Sequence, residues 1–161
     1  MKNTVFAALG LTMALSVGAQ AGKIGDQVEW AATNDQAMKA AIAHARATLD
    51  PFLALATSPP SGATDFKIKA RVSDDVGIEH LWFTPFKEVK GGFAGILAND
   101  PQVIKSMQSG SVYVVRREQI TDWGYVQNGK QKGSFTVCVL FQSMDQAVVE
   151  RYKRDHGFEC K

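Results

Sequence analysis

Three histidines and two cysteines are the only imidazole and thiol groups among 161 residues. His44, His80 and His156 build no ligand set of the kind that holds zinc, and the cysteines stand far apart, so no metal centre is expected. No serine lies in a Gly-x-Ser-x-Gly turn that would expose a nucleophile. There is no P-loop and no Gly-x-Gly-x-x-Gly; Gly91-Gly92 and Gly95 fall in a strand–turn–strand setting instead. The sequence therefore implies no cofactor. An excess of one charge is missing too: 18 Lys and Arg stand against 16 Asp and Glu, for a formal charge of +2. A polyanion binder needs a clustered basic face, so nucleic acid is not an expected partner. Internal repeats and low-complexity tracts are absent, and 45% hydrophobic with 21% charged residues is the profile of a globular domain.

One apolar run does stand out. Lys2, the stretch from Val5 to Val17, and the small-x-small pattern Ala19-Gln20-Ala21 read as a signal peptide over residues 1–21. The run is short for a membrane span; an uncleaved amphipathic or anchoring helix is the alternative. No cysteine near the cleavage site invites lipid attachment. The expected product is one globular domain over residues 22–161, periplasmic or secreted, with no stable membrane insertion after cleavage. In an oxidising compartment Cys138 and Cys160 read as one disulfide, the alternative being two unrelated thiols.

Periodicity then predicts an α+β fold. Asn34, or Thr33 with Gln36, can cap a helix to about Leu49. Met38, Ile42, Ala45, Leu49 and Phe52 or Leu53 form its apolar stripe. Pro51 should end or kink it near Leu49, with a further turn to about Ala56. After a Ser58–Gly62 loop, Phe66, Ile68, Ala70 and Val72 alternate with Lys67, Lys69 and Arg71, a strand with one packed face. Its basic face reads as solvated or as protection of a sheet edge; a ligand-binding stripe is the alternative.

Further strands are expected at Ile78–Val89, with Pro85 at an edge or bulge, at Phe93–Ala98 after the Gly91-Gly92 turn, and at Ser111–Arg117. Asp100 and Pro101 predict a short helix over Gln102–Met107. Asn128-Gly129 is a hairpin signal. It is read here as joining a strand that ends near Val126 to a strand over Ser134–Gln142, with Phe135, Val137, Val139 and Phe141 inward. Ser143 and Gln146 match a capping box for a last helix that stops at Gly157. The sum is an N-terminal helix on a curled, mostly antiparallel sheet or small open barrel of five to six strands, with a C-terminal helix.

Glu79, His80 and Trp82 on one strand, with Asp122, Trp123 and Tyr125 at the hairpin entry, form the candidate site. If these strands are neighbours, a histidine, a carboxylate and several aromatics meet. Such a set can act as a binding surface. It can also act as an acid–base pair, His80 with Asp122 or Glu79. A purely structural role is the third possibility, with the aromatics in the core and Asp122 capping a turn.

The helix ending in Pro51-Phe52-Leu53, Glu79-His80-x-Trp82, Asn99-Asp100-Pro101, Ile120-x-Asp122-Trp123-x-Tyr125 and Gly133 occur in one order. In these features, spread over roughly residues 37–140, the chain resembles the YegJ-like bacterial family, a domain of unknown function. Gly124 departs from the larger residue the resemblance leads one to expect. The resemblance implies the architecture and brings no activity with it. The functional expectation is an exported, non-catalytic binding module, of inhibitor or immunity type, for a protein partner in the envelope. A small acid–base hydrolase is the alternative.

Overall fold

The computed structural model of the chain describes residues 36–160. The predicted signal peptide, the segment up to Thr33 and the cap at Thr33 or Asn34 lie outside the described residues. Helices α1 (Gln36–Ala47) and α2 (Leu49–Thr57) come from the expected stripe: Met38, Ala45, Leu49 and Phe52 are buried. The break falls at Thr48. Pro51 has no N–H to offer Ala47, and its ring crowds that carbonyl. One turn earlier, the Trp123 indole N–H donates to the Ala45 carbonyl at 2.9 Å, taking an acceptor a continuous helix would use.

The sheet has six strands, all paired antiparallel, in the order β4-β3-β2-β1-β5-β6. They are β1 (Ala63–Ser73), β2 (Ile78–Val89), β3 (Gly92–Leu97), β4 (Val112–Val115), β5 (Ile120–Gln127) and β6 (Lys130–Gly133). The sheet stays open and does not close into a barrel. α1 and α2 cover one face, where Ile68, Ala70, Leu81, Phe83, Phe93 and Ile120 pack around Phe52. Phe52 also stacks on Trp123 with ring centroids 4.7 Å apart, and Phe66 stacks on Tyr125 at 5.0 Å. The Pro85 expectation is met by a bulge between Phe83 and Phe86.

β1 is a central strand, paired on both sides, so its basic residues do not guard an edge. Nor is their face simply solvated, since Lys69 is only 4% exposed. The predicted helix over Gln102–Met107 is absent. Glu79 takes the backbone N–H groups of Gln102, Val103 and Ile104 at 3.0 to 3.1 Å, and Asp74 takes those of Lys105 and Ser106. Two carboxylates from the sheet thus hold this segment as a string of bends, with Ile104 in the core.

The larger correction concerns residues 134–142. Asn128 and Gly129 both have positive φ, 50° and 75°, and the tight turn pairs Gln127 directly with Lys130. The return strand is therefore β6, and it ends where Gly133 and Ser134 turn left-handed. Phe135–Phe141 is helix α3. A short apolar run satisfies both periods; here burial of Thr136 and Leu140, four residues apart, and of Phe141 goes with the helix. Asp145, not Ser143, caps the last helix α4 (Gln146–His156), accepting from the Ala147 and Val148 amides. Ser143 Oγ instead donates to the Leu140 carbonyl. α4 stops at Gly157 as expected.

Cys138 on α3 and Cys160 are joined in a disulfide with Cα atoms 5.4 Å apart. The bridge ties the tail to α3, while the Gln131 N–H donates to the Gly157 carbonyl at 2.9 Å, so the tail also covers the β6 edge. Loop entropy predicts that changing both cysteines to serine lowers unfolding stability by ~3 kcal/mol. Urea unfolding of wild type against the double variant measures this; coincident midpoints and slopes would contradict it.

Candidate functional site

β1 alternates, so Lys67, Lys69 and Arg71 point away from the α1/α2 core. Opposite them on β2, Trp82 pairs with Lys69 and His80 with Arg71. On the other side, Lys69 faces Asp122 and Lys67 faces Gly124. α3, α4 and the tail rise beside this outer face and enclose a cleft of ≈ 640 Å³. Its sheet side is formed by Lys67, Lys69, His80 and Trp82, and its helical wall by Val137, Leu140, Phe141 and Met144. Gly124 is what lets these parts close up. A Cβ there would stand 2.6 Å from Ser134 Oγ, 2.7 Å from Gln131 Nε2 and 3.2 Å from Lys67 Cε.

The six predicted site residues are divided by this arrangement. β2 and β5 are not neighbours, because β1 runs between them. His80 and Trp82 line the cleft. Trp123 and Tyr125 pack on the core side against Phe52. Glu79 is buried on the amides of residues 102–104. Asp122 is fully buried and accepts from the backbone N–H of Trp123, Phe135 and Thr136 and from the Thr136 hydroxyl. Burial pushes its carboxyl up; the Thr136 hydroxyl bond and the Lys69 charge oppose that. Sequence reasoning missed the helical wall, since residues 134–142 read as strand. It also set aside Lys67 and Lys69, whose alternation with apolar residues was the available signal.

His80 is 8% exposed and shares a 3.0 Å hydrogen bond between Nδ1 and the Thr121 hydroxyl. Burial, and then the charges of Lys69, Arg71 and Arg46, hold its pKa down at about 4. The imidazole is therefore neutral at pH 7. Lys67 Nζ lies 5.2 Å and Lys69 Nζ 5.5 Å from the Trp82 ring centroid, within cation–π range. Burial lowers the Lys67 pKa, opposed by the Asp65 and Asp122 charges. Among the described residues, no three His, Cys, Asp or Glu side chains converge to hold a metal ion. Among them, too, no helix is long and apolar enough to cross a membrane.

The His80 shift has a definite sign. Between pH 6.5 and about 4 the unfolded chain binds a proton at His80 that the folded chain does not. Its contribution to stability is thus full above 6.5 and lost as pH falls to about 4. NMR titration should place the His80 midpoint near 4. In His80→Gln, the fall in stability across that window should be shallower than in wild type. A midpoint near 6.5, the value for a free histidine, would contradict the buried, cation-flanked setting.

Comparison with known proteins places the chain. The model of a family described as "Uncharacterized protein conserved in bacteria (DUF2314)" matches residues 35–160. The chain is also similar to "Uncharacterized protein YegJ" of Escherichia coli (strain K12), 30% identical over 118 residues, 73% of this chain and 76% of the relative. No solved structure matches. With the family's pattern running through α1, all six strands and α4, the chain belongs to the bacterial DUF2314 family.

Proposed function

We propose that this protein is an exported, non-catalytic binding module whose recognition surface is the cleft over Trp82. The observation that carries the reading is the cleft itself. Its ≈ 640 Å³ lies within the roughly 300–1,000 Å³ usual for ligand sites, and it sets an aromatic ring and ammonium groups against apolar side chains. A neutral His80 bonded to a hydroxyl, with both candidate carboxylates occupied by backbone amides, supports binding over acid–base chemistry. Export rests on the pattern of residues 1–21, and a disulfide suits an oxidising compartment. Because the surface is concave, the recognised group is small enough to enter it, whether free or carried by an envelope partner.

Trp82→Ala removes an aromatic ring that lines the cleft and leaves the core face untouched. Hot-spot behaviour predicts a loss of roughly tenfold or more in affinity for whatever the tagged protein retains from periplasmic extract. The measurement is quantitative capture, with circular dichroism confirming that the variant is folded. A folded variant retaining every ligand and partner at wild-type strength would remove the cleft as the site.

A further inference from the structure

Resting on the cleft reading, the geometry points to a ligand class: we infer that the cleft takes a single-chain amphiphile with an anionic head, a carboxylate or a phosphate. Lys67 and His80 would receive the head, and Val137, Leu140, Phe141 and Met144 the apolar chain.

Among the described residues, two donor-bearing groups on the sheet side have no hydrogen-bond acceptor for a free donor position. Among the described residues, the Lys67 ammonium makes no hydrogen bond or ion pair; it rests over Trp82. His80 is more than nine-tenths buried, lines the cleft and uses Nδ1 on Thr121, while its second ring nitrogen has no partner among the described residues. The Thr121 hydroxyl is 3.0 Å from that Nδ1 and 3.4 Å from the Lys69 carbonyl. In the tautomer whose Nδ1 accepts from the Thr121 hydroxyl, the ring proton sits on Nε2, a second donor. A cation beside a buried N–H is a setting for an anionic acceptor.

The Asp65 and Asp122 carboxylates favour the Lys67 charge without bonding to it, and each has other hydrogen-bond donors. Asp65 accepts from the Thr64 hydroxyl at 2.9 Å. Asp122 is satisfied by the start of α3 and faces Lys69 across the strand pair. Asp155, at the cleft border, is bridged to Arg154 at 3.3 Å. The charges that bear on His80 are Lys69, Arg71 and Arg46, all positive. Opposite them, Val137, Leu140, Phe141 and Met144 present carbon, while α4 borders the cleft with Tyr152, Arg154, Asp155 and His156. A bare anion would leave that wall in water, and a neutral apolar ligand would bury the ammonium unpaired, at considerable cost. An amphiphilic anion matches both.

The test is calorimetric titration of the full chain with decanoate, decyl phosphate, decyltrimethylammonium and decyl maltoside, each below its micelle-forming concentration, and with acetate and inorganic phosphate. Decanoate, decyl phosphate or both should bind one to one, at least about tenfold more tightly than the cationic and neutral chains and than either bare anion. Lys67→Met keeps the stem and removes the charge; it should cut that affinity about tenfold and leave decyl maltoside unaffected. Equal binding of all four decyl compounds, or anion preference surviving in Lys67→Met, overturns the inference. So does binding of acetate or phosphate as tight as that of the decyl anions. Should Lys67→Met fail to fold, the head-group preference of wild type decides alone. If no decyl anion binds but Trp82→Ala still releases captured material, the ligand class fails and the cleft reading stands. If neither effect appears, both fail.

Discussion

The buried carboxylate of Asp122 is the interaction on which the outer half of the molecule depends. It sits on β5 with no exposure to solvent and accepts four hydrogen bonds, one from its neighbour Trp123 and three from residues Phe135 and Thr136. A buried carboxylate is costly unless its lone pairs are used. Here the first amides of α3, which have no intrahelical partner, use them. One side chain therefore fixes where the chain leaves the sheet after β6 and starts a helix. α3 in turn carries Cys138, the anchor of the tail, and Leu140 and Phe141, part of the cleft wall. On the opposite face Trp123, one residue along, reaches the Ala45 carbonyl and stacks on Phe52. Consecutive residues thus hold α1 and the start of α3, which also meet directly where the Phe135 ring packs edge-on against His44 and Trp123.

The two faces of β1 show how one strand separates stability from recognition. Ile68, Ala70 and Val72 are in the core. Lys67 and Lys69 bend over Trp82 on the other side, where their ammonium groups lie over the ring and line the cleft. Gly124 supplies the room, since any side chain there would collide with Ser134, Gln131 or Lys67.

Much of the fold was legible in the sequence because it follows from one-dimensional signals. The α1 stripe, the alternation in β1, the Asn128-Gly129 turn, the stop at Gly157 and the Cys138–Cys160 pair are local or counted features, and each appears in the structure. What failed depended on partners distant in sequence. Residues 135–141 form a helix because Asp122, far back in the chain, caps them. Gln102 to Met107 stay non-helical because Glu79 and Asp74 claim their amides. The candidate site was half visible for the same reason. His80 and Trp82 fell on one face by parity, and His80 reaches Thr121 of β5 across β1, but Trp123 and Tyr125 turn to the opposite, core face.

The central claim is that Asp122 nucleates the α3 side of the cleft. In Asp122→Asn, either amide orientation sets an NH₂ group against backbone donors, toward Trp123 and Phe135 or toward Thr136. Native-state hydrogen exchange of this variant against wild type reads the consequence residue by residue. The account predicts lost protection at Val139, Leu140 and Phe141, with β1, β2 and β3 amides protected nearly as before. Unchanged protection through α3 in a folded Asp122→Asn protein would contradict it.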